Sequence, residues 1–207
     1  MEIELKYSLE NEQLAEQIRN DEDLAKYEIK DSEQNLDLFA VYFDTEDMSL
    51  SKNFIAYRVR REGARNIATL KWNGMQDGAL HKREELNINL GSGDFPKTPD
   101  ISVFKQSEIG QRMIEIIGDK KIISLMEINM HRQSWRLEDN NAIVEVCIDN
   151  GKVITPKGET DIHEIEMEML TGTPEILTGL GDKLSEKYGL KPEKRSKFER
   201  GLALLER

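Results

Sequence analysis

Charged and apolar residues alternate along most of this chain, and this period of two constrains the fold more than any other feature. From Glu2 to Ser8, charged side chains occupy one parity and mainly apolar side chains the other. Successive side chains of a β-strand point to opposite faces, so this pattern predicts a strand with one polar and one apolar face. Further strands are predicted at Leu36 to Phe43, which is apolar-rich, and at the alternating segments Ile55 to Arg61, Ile67 to Trp72, Arg83 to Leu90, Ile128 to Leu137, Ala142 to Asp149 and Ile162 to Met169. Eight such strands predict a largely antiparallel sheet, close to the number at which a sheet closes into a barrel.

Helical patterns occupy the gaps between the strands. The clearest one begins after Thr173, a favourable N-cap that Pro174 follows at the first helical position. Apolar residues then recur at helical spacing as far as Tyr188, and Gly189 suits the C-terminal cap. Other helices are predicted at Asn11 to Arg19, Glu22 to Tyr27, Ile109 to Ile117 and Ser196 to Leu205. The expected class is therefore α+β, with β-structure dominant.

The chain shows no internal repeat and no linker between domains. Its only stretch rich in glycine, proline and serine runs from Gly91 to Pro99. Strand-like alternation resumes after it, so we expect a loop there. A hairpin turn is predicted at Asp139-Asn140-Asn141. We therefore expect residues 1–207 to form a single domain.

Charge balance and cysteine content exclude some classes of function. The chain has 40 acidic against 29 basic residues, a net charge of -11, so it repels a phosphate backbone and we expect no nucleic-acid partner. The single cysteine, Cys147, excludes an internal disulfide. No apolar run approaches the roughly 20 residues that span a bilayer, and the N-terminus lacks the pattern of a signal peptide. We expect a soluble, cytoplasmic protein with no membrane partner.

The charged face of the strands is separated by sign. Three bases lie on successive strands with no acid between them at that face: Arg58, Arg60 and Lys71. Five acids lie on a late hairpin: Glu145, Asp149, Glu164, Glu166 and Glu168. Like charges destabilise a sheet unless a ligand neutralises them, so the bases favour a polyanion and the acids a divalent metal ion. The simpler alternative is a sheet with one wet and one dry face, and periodicity alone does not tell which face lies inside a barrel.

An ordered set of short motifs covers nearly the whole chain. It opens with Glu2-Ile3-Glu4-Leu5-Lys6, which has the form ExExK. The later motifs are, in order, Tyr42-Phe43-Asp44-Thr45, Tyr57-Arg58-Val59-Arg60, Thr69-Leu70-Lys71, Arg83-Glu84-Glu85, Arg132 with Trp135, Glu145-Val146-Cys147-Ile148-Asp149-Asn150-Gly151, His163-Glu164-Ile165-Glu166-Met167-Glu168, and Ser196-Lys197 with Arg200-Gly201. This set resembles the CYTH family, also called triphosphate tunnel metalloenzymes, and looks most similar to its bacterial inorganic triphosphatases.

The resemblance implies an eight-stranded antiparallel β-barrel that forms a tunnel, with helices packed outside and a C-terminal helix. In this fold the charged residues point inward, and the apolar residues point outward beneath the helices. One departure lies two residues after Arg132, where many members carry a second base and this chain has Ser134.

The same resemblance implies roles for the charged residues. Triphosphate would be bound by basic side chains: Lys6, Arg58, Arg60, Lys71, Arg83, Arg132, Lys197 and Arg200. Mg²⁺ or Mn²⁺ would be held by carboxylates of the first and last strands: Glu2, Glu4, Glu164, Glu166 and Glu168. The catalytic group, around the attacking water or a second ion, would be Glu85, Glu145, Asp149 and Lys197. Lys197 and Arg200 would also close one end of the tunnel.

The implied function is divalent-metal-dependent hydrolysis of inorganic triphosphate to pyrophosphate and phosphate. The enzymatic alternatives act on an organic triphosphate: thiamine triphosphatase, nucleoside triphosphatase or class IV adenylate cyclase. A polyphosphate-binding module is the non-enzymatic alternative. Trp72 and Trp135 fall on the opposite parity from Lys71 and Arg132, so we expect no inward aromatic cluster for an organic group. We expect a monomer or a homodimer.

Overall fold

The alternating segments form the strands of a barrel in the computed structural model, which describes residues 1–96, 98–139 and 142–206. The strands are β1 (Glu2–Ser8), β2 (Gln34–Thr45), β3 (Ala56–Glu62), β4 (Arg65–Asp77), β5 (Leu80–Ser92), β6 (Ile122–Asp139), β7 (Ala142–Thr155), β8 (Gly158–Thr171) and a short β9 (Lys191–Pro192). All eight predicted strands are present, and most extend beyond their predicted ends. Ladder hydrogen bonds continue into segments whose side chains carry no alternating pattern, which explains the extra length.

Eight of these strands pair in a closed ring, in the order β1-β5-β4-β3-β2-β6-β7-β8, with β8 returning to β1. The pairings are antiparallel throughout. The ring closes where β1 pairs with β5, in a register that sets Glu2 opposite Arg83. The predicted eight-stranded antiparallel barrel is therefore confirmed.

The helices connect the strands and cover the barrel. In the described residues they are α1 (Glu12–Arg19), α2 (Glu22–Ala25), α3 (Ser49–Lys52), α4 (Glu108–Ile117), α5 (Pro174–Tyr188) and α6 (Lys197–Leu205). The predicted ends of α5 are confirmed, since Pro174 is its first residue and Gly189 takes the left-handed conformation after its last. The sequence predicted neither α3 nor the 3₁₀ turn Ile101–Phe104, because a single turn is too short to show a helical period. No helix in this part of the chain is long and apolar enough to cross a membrane.

The apolar face of most strands lies outside the barrel, beneath the helices. One outer cluster joins β1, β6, β7 and β8 to α1 and α5 and includes Val146 and Leu177. A second joins β2, β3 and β4 to α4 and includes Val59 and Met113. All four side chains are fully buried. Burial of an apolar side chain of this size contributes about 1.5–3 kcal/mol, so these two clusters hold the helices on the barrel.

The C-terminal helix packs instead against the inward face at one end of the barrel. Met126 of β6 and Ile162 of β8 have the inward parity of the charged residues farther along those strands, and they share a cluster with Phe198 of α6. Gly201 permits this close contact, because a Cβ there would force the end of the Met126 side chain to move. The barrel interior is therefore apolar at the end that α6 covers and charged beyond it.

Two predicted loops lie partly outside the described residues. Asn140 and Asn141 of the predicted hairpin turn lie outside the described residues. The flanking strands β6 and β7 pair at Asp139 and Ala142. In the loop predicted from Gly91 to Pro99, β5 runs on to Ser92 and residue 97 lies outside the description.

Asp21 ties α2 to α5 on the outside of the barrel. Its buried carboxylate accepts hydrogen bonds from the Tyr188 hydroxyl at 2.6 Å and from the backbone N–H of Asp23 at 2.7 Å. It also pairs with the Lys187 ammonium at 2.9 Å. Although burial opposes ionisation, these contacts lower the pKa of Asp21 to about 2.

We expect Asp21→Asn to lower the free energy of unfolding by about 1–2 kcal/mol at pH 7. The carboxylate stabilises the fold fully above the pKa of the unfolded chain, and the contribution disappears as the pH falls through the folded pKa of about 2. Urea unfolding between pH 7 and pH 2.5 measures the difference, which should shrink as the pH falls. The matched control is Asp23→Asn, an exposed carboxylate nearby that should change stability little. A difference for Asp21→Asn that stays constant with pH would contradict the role of its charge.

Candidate active site

Inward-facing charged side chains enclose a cavity of about 140 Å³ inside the barrel. Every barrel strand and the start of α6 contribute to its wall. The lining residues are Glu2, Glu4, Lys6, Tyr42, Arg58, Arg60, Lys71, Arg83, Glu85, Met130, Arg132, Glu145, Glu166, Glu168, Ser196 and Lys197. Alternate residues of each strand point the same way, so the charged parity of the sequence becomes the wall of the cavity.

The β3 wall of the cavity carries two arginines, Arg58 and Arg60, whose hydrogen-bond donors are not all used by the protein. Within the described chain, Arg58 has no carboxylate at ion-pair distance; it donates a hydrogen bond to Thr69 at 3.4 Å, and its Nε is buried without a partner. Arg60 pairs with Glu62, but its Nε is also buried without a partner. Burial, and then the neighbouring Arg58, lowers the pKa of Arg60 to about 10. Both guanidinium groups therefore have donors to offer to an anion in the cavity.

Tyr42, on the adjacent strand β2, lies in the same positive field. Although burial opposes it, the charges of Arg58, Lys71 and Arg83 hold the pKa of the Tyr42 phenol below its ordinary value. A lowered phenol pKa in a buried position requires a net positive potential at the oxygen. This side of the cavity therefore favours a polyanion.

Carboxylates gather where β1 meets β8. Glu4 and Glu168 stand opposite each other in the register of these strands, with Glu2 two residues away on β1. Glu2 and Glu4 both pair with Arg83, and Glu4 also pairs with Lys6 at 3.1 Å. Glu168 has no basic group within ion-pair distance in the part of the chain described. Burial, followed by the charges of Glu2 and Glu4, raises the pKa of Glu168 to about 7.

This group of carboxylates fits a divalent metal ion. Carboxylate oxygens are the hard donors that Mg²⁺ and Mn²⁺ prefer. Glu168 lacks the cationic partner that a buried carboxylate needs, and an ion beside Glu2 and Glu4 would supply it. The donor set therefore agrees with the metal that the motifs imply.

A second acidic cluster already holds a lysine. One carboxylate oxygen from each of Asp149, Glu164 and Glu166 lies within 4.8 Å of the others, a spacing that could suit a metal ion. The Lys197 ammonium, from the first turn of α6, donates to all three, at 2.7 Å to Asp149 and 2.9 Å to Glu166. Although burial opposes it, these carboxylates hold the pKa of Lys197 well above its ordinary value. Lys197 thus occupies the position between the carboxylates that a cation would take.

Most of the predicted site residues lie on the cavity wall, but three do not. Asp149, Glu164 and Arg200 are buried beside the cavity and are absent from its lining. Asp149 is 0% and Glu164 1% exposed. Arg200 lies on the same helix as Lys197, which covers this end of the interior. A bound triphosphate would therefore meet Lys197 before it met any of these three.

Sequence reasoning assigned no role to three residues of the lining: Tyr42, Met130 and Ser196. Tyr42 could have been found, because it belongs to a recognised motif and has the inward parity of β2. Met130 and Ser196 carry no charge, so nothing in the pattern distinguished them from other inward or capping residues.

Acidic and basic residues that the sequence places on different strands lie close together in the folded barrel. The acidic strands β7 and β8 receive a base from β6, because Arg132 donates to Asp149 at 2.5–2.6 Å and to Glu166 at 2.6 Å. The closed barrel places segments that are distant in sequence side by side. The alternation within one strand therefore does not show which charged residues of other strands will pair with it. Among the residues that the structure describes, Arg58 on the basic side and Glu168 on the acidic side have no ion-pair partner.

A recess of about 550 Å³ opens beside the charged cavity and shares Lys71 and Arg83 with it. Four aromatic side chains line the recess: Tyr42, Phe54, Trp72 and Phe198. Phe54 is 84% exposed, and its φ of 58° is a conformation that bulky residues rarely adopt. The basic side of the charged cavity therefore has an aromatic neighbour.

The outward parity predicted for the tryptophans agrees with their packing, since Trp72 packs against the outer cluster that includes Val59 and Met113. Trp72 also borders the recess, at the point where strand β4 becomes irregular between Trp72 and Met75. Phe54 and Phe198 come from a loop and a helix, to which strand parity does not apply. Trp135 lies in the outer core, as its parity predicted.

Comparison with known sequences connects this chain to one family model and to a curated enzyme. Residues 1–202 match the model described as the CYTH domain. The chain is 29% identical over 181 residues to an inorganic triphosphatase of Haemophilus influenzae, a match that covers 87% of this chain and 49% of that protein. The chain therefore spans about half the length of that curated relative.

Solved structures with a similar fold cover nearly the whole chain. A putative adenylyl cyclase from Hippeastrum, described as having a dominant triphosphatase activity, matches with a TM-score of 0.70 at 21% identity and covers 98% of this chain and 96% of its own. A protein of Pyrococcus horikoshii OT3 matches with a TM-score of 0.56 at 18% identity over 100% of both chains. A putative adenylate cyclase of Bacillus halodurans gives 0.55 at 20% identity over 97% and 96%. At these identities the likeness establishes the fold alone.

Proposed function

The chain belongs to the CYTH family, and we propose that it hydrolyses inorganic triphosphate to pyrophosphate and phosphate with the help of a divalent metal ion. The observation that carries this proposal is that two groups on opposite sides of one cavity, Arg58 and Glu168, have no ion-pair partner among the described residues. Triphosphate with its metal ion supplies both missing partners, because the phosphates meet the base and the ion meets the acid. The likeness to an inorganic triphosphatase of Haemophilus influenzae supports the same substrate.

The basic side chains of the cavity would bind the phosphates. Arg58 and Arg60 offer buried Nε donors, and the planar guanidinium can bind two phosphate oxygens at once. Further contacts would come from Lys6, Lys71, Arg83, Arg132 and Lys197, which line the same cavity. Together they would hold the terminal phosphorus in one place, which lowers the entropic part of the barrier.

Glu2, Glu4 and Glu168 would hold Mg²⁺ or Mn²⁺, with Glu166 beside them on β8. When bound, the ion offsets charge on the triphosphate and fixes its orientation. The protein prepares the site through Arg83, which bonds both Glu2 and Glu4 and so keeps the two carboxylates on the same wall.

Glu85 and Glu145 are the residues that we assign to the attacking water. Glu85 is held by Lys71 and by the Asn87 amide, and Glu145 by Arg136 at 3.0 Å. As water attacks the terminal phosphorus, a carboxylate at hydrogen-bond distance accepts its proton. The new P–O bond forms while the bridging P–O bond breaks, and pyrophosphate leaves.

A second candidate function is hydrolysis of an organic triphosphate. The aromatic recess favours it, because its Trp72 and Phe198 rings lie beside Lys71 and Arg83 of the charged cavity. A base or thiazolium ring could stack there while its phosphates enter the cavity.

We expect inorganic triphosphate to give the highest kcat/KM in a panel with thiamine triphosphate, ATP and pyrophosphate, with ATP at least about tenfold lower. The cavity offers only phosphate and metal partners, and pyrophosphate lacks the third phosphate. Phosphate release with Mg²⁺ and with Mn²⁺ measures the panel. Trp72→Ala is the control variant: it should leave triphosphate kinetics unchanged. A tenfold preference for thiamine triphosphate, lost in Trp72→Ala, would support the second candidate. Tight binding without phosphate release would support a polyphosphate-binding module.

Some expectations from the sequence stay predictions. They are the single domain over residues 1–207, the cytoplasmic location, the monomeric or homodimeric state and the lack of a nucleic-acid or membrane partner.

A further inference from the structure

The Lys197 ammonium lies at the border between the charged cavity and the buried network beside it. It lines the cavity, yet it donates to Asp149, Glu164 and Glu166. Lysine has a long flexible chain, so an ammonium stays at one point only if its partners fix it there. The three carboxylates are arranged to do so.

Arg200 completes the network from the far side. Its Nη2 donates to Glu164, one turn along α6 from Lys197, and it does not line the cavity. Glu164 is thus shared between two cations, Lys197 in front and Arg200 behind. The second cation balances Glu164, so that this carboxylate does not pull the Lys197 ammonium fully out of the cavity.

We infer that Glu164 and Arg200 are positioning residues that hold the Lys197 ammonium at the cavity wall, rather than direct ligands of metal or phosphate. The inference rests on the proposed function only in naming triphosphate as the anion that Lys197 meets. The competing assignment makes Glu164 a metal ligand in the cluster with Asp149 and Glu166. In that case a metal ion would have to displace Lys197 from all three carboxylates.

The test needs variants that keep the buried charge balanced. Glu164→Gln alone leaves Arg200 buried without a partner and can unfold the protein for that reason. The informative set is therefore Arg200→Met, the conservative Arg200→Lys, and the double variant Glu164→Gln with Arg200→Met. Lys152→Met is the matched control, because it removes an exposed cation that pairs with Glu159 on the neighbouring strand.

Two measurements separate the assignments without relying on turnover. Calorimetry gives the Kd of metal-free protein for triphosphate and, separately, the Kd for Mn²⁺. The ¹⁵N signal of the Lys197 ammonium, assigned by its loss in Lys197→Arg, reports whether the group stays ordered. In Arg200→Met we expect about a tenfold weaker Kd for triphosphate, a broadened ammonium signal and an Mn²⁺ Kd within about twofold of wild type. Arg200→Lys should recover most of the loss, and Lys152→Met should change none of these quantities.

Opposite results overturn the inference. An Mn²⁺ Kd raised tenfold or more in the double variant would make Glu164 a metal ligand. If Arg200→Met changes neither the triphosphate Kd nor the Lys197 ammonium signal, Glu164 and Arg200 only stabilise the fold. If wild-type protein fails to bind triphosphate at all, the proposed function fails, while the ammonium signal still decides whether Glu164 and Arg200 hold Lys197.

Discussion

Arg58→Ala is expected to lower kcat/KM for triphosphate at least about 100-fold, which corresponds to about 3 kcal/mol of transition-state stabilisation. The same change should leave the unliganded protein as stable as the wild type, or slightly more stable. The reason is that Arg58 has a buried Nε without a partner and no carboxylate at ion-pair distance within the described residues. The charge of Arg58 is therefore available to a ligand and contributes little to the fold.

The matched control for Arg58→Ala is Arg61→Ala. Arg61 lies on the same strand but on the other face, where its guanidinium packs over Phe95 and bonds the Gly93 carbonyl. We expect Arg61→Ala to leave kinetics unchanged. Kinetics and thermal melting, with and without millimolar triphosphate, separate the two variants, because a ligand that binds the folded state raises the Tm of wild type and of Arg61→Ala. Equal kinetics for Arg58→Ala and wild type would exclude Arg58 from phosphate binding.

Glu168→Gln should abolish most turnover while leaving the metal-free protein stable. The carboxylate is half-buried beside Glu2 and Glu4, without a basic partner at ion-pair distance in the described chain, so its charge is unfavourable until a cation binds. The amide keeps the shape and removes that charge. We expect the metal concentration at half-maximal rate to rise at least about tenfold and kcat to fall about 100-fold.

Glu159→Gln is the control for Glu168→Gln, because it removes a carboxylate from an exposed position on the same strand. Metal titrations of rate, together with Mn²⁺ binding measured directly, compare the two variants. A metal dependence of Glu168→Gln that equals that of wild type would remove Glu168 from the proposed metal site. A loss of Tm in the absence of metal would show instead that Glu168 stabilises the fold.

Much of the fold could be predicted because the barrel strands follow the same alternation of inward and outward side chains. The alternation from Glu2 to Ser8 divided the side chains of β1 between two faces, and the family resemblance indicated that the charged face points inward. The same rule placed Arg58 and Glu166 on the wall of one cavity. The rule failed where the backbone leaves the regular pleat. Strand β4 becomes irregular after Trp72, and single turns such as α3 left no periodic pattern at all.

The sequence predicted the partners of individual charged residues less well than it predicted the strands. Glu164 and Glu168 belong to the same motif and have the same parity. Glu164 is bonded to Lys197 and Arg200, whereas Glu168 has no base at ion-pair distance in the part of the chain that the structure describes. The difference arises because α6 packs against one end of the interior and brings its bases there. A motif indicates that a carboxylate faces inward, but it does not indicate which basic side chain pairs with that carboxylate in the folded protein.

The sequence by itself determined the strand number, the inward parity and the family, because each depends on residues close together in the chain or on the order of motifs. Only the tertiary structure decided which charges are neutralised. Lys6 is paired with Glu166, 160 residues away, and Lys197 with Asp149, whereas Arg58 stays without a carboxylate partner among the residues described. The energy of an ion pair falls steeply with the distance between its charges. In a closed barrel that distance is set by strand register and by the packing of α6, and no single segment of the sequence determines either of them.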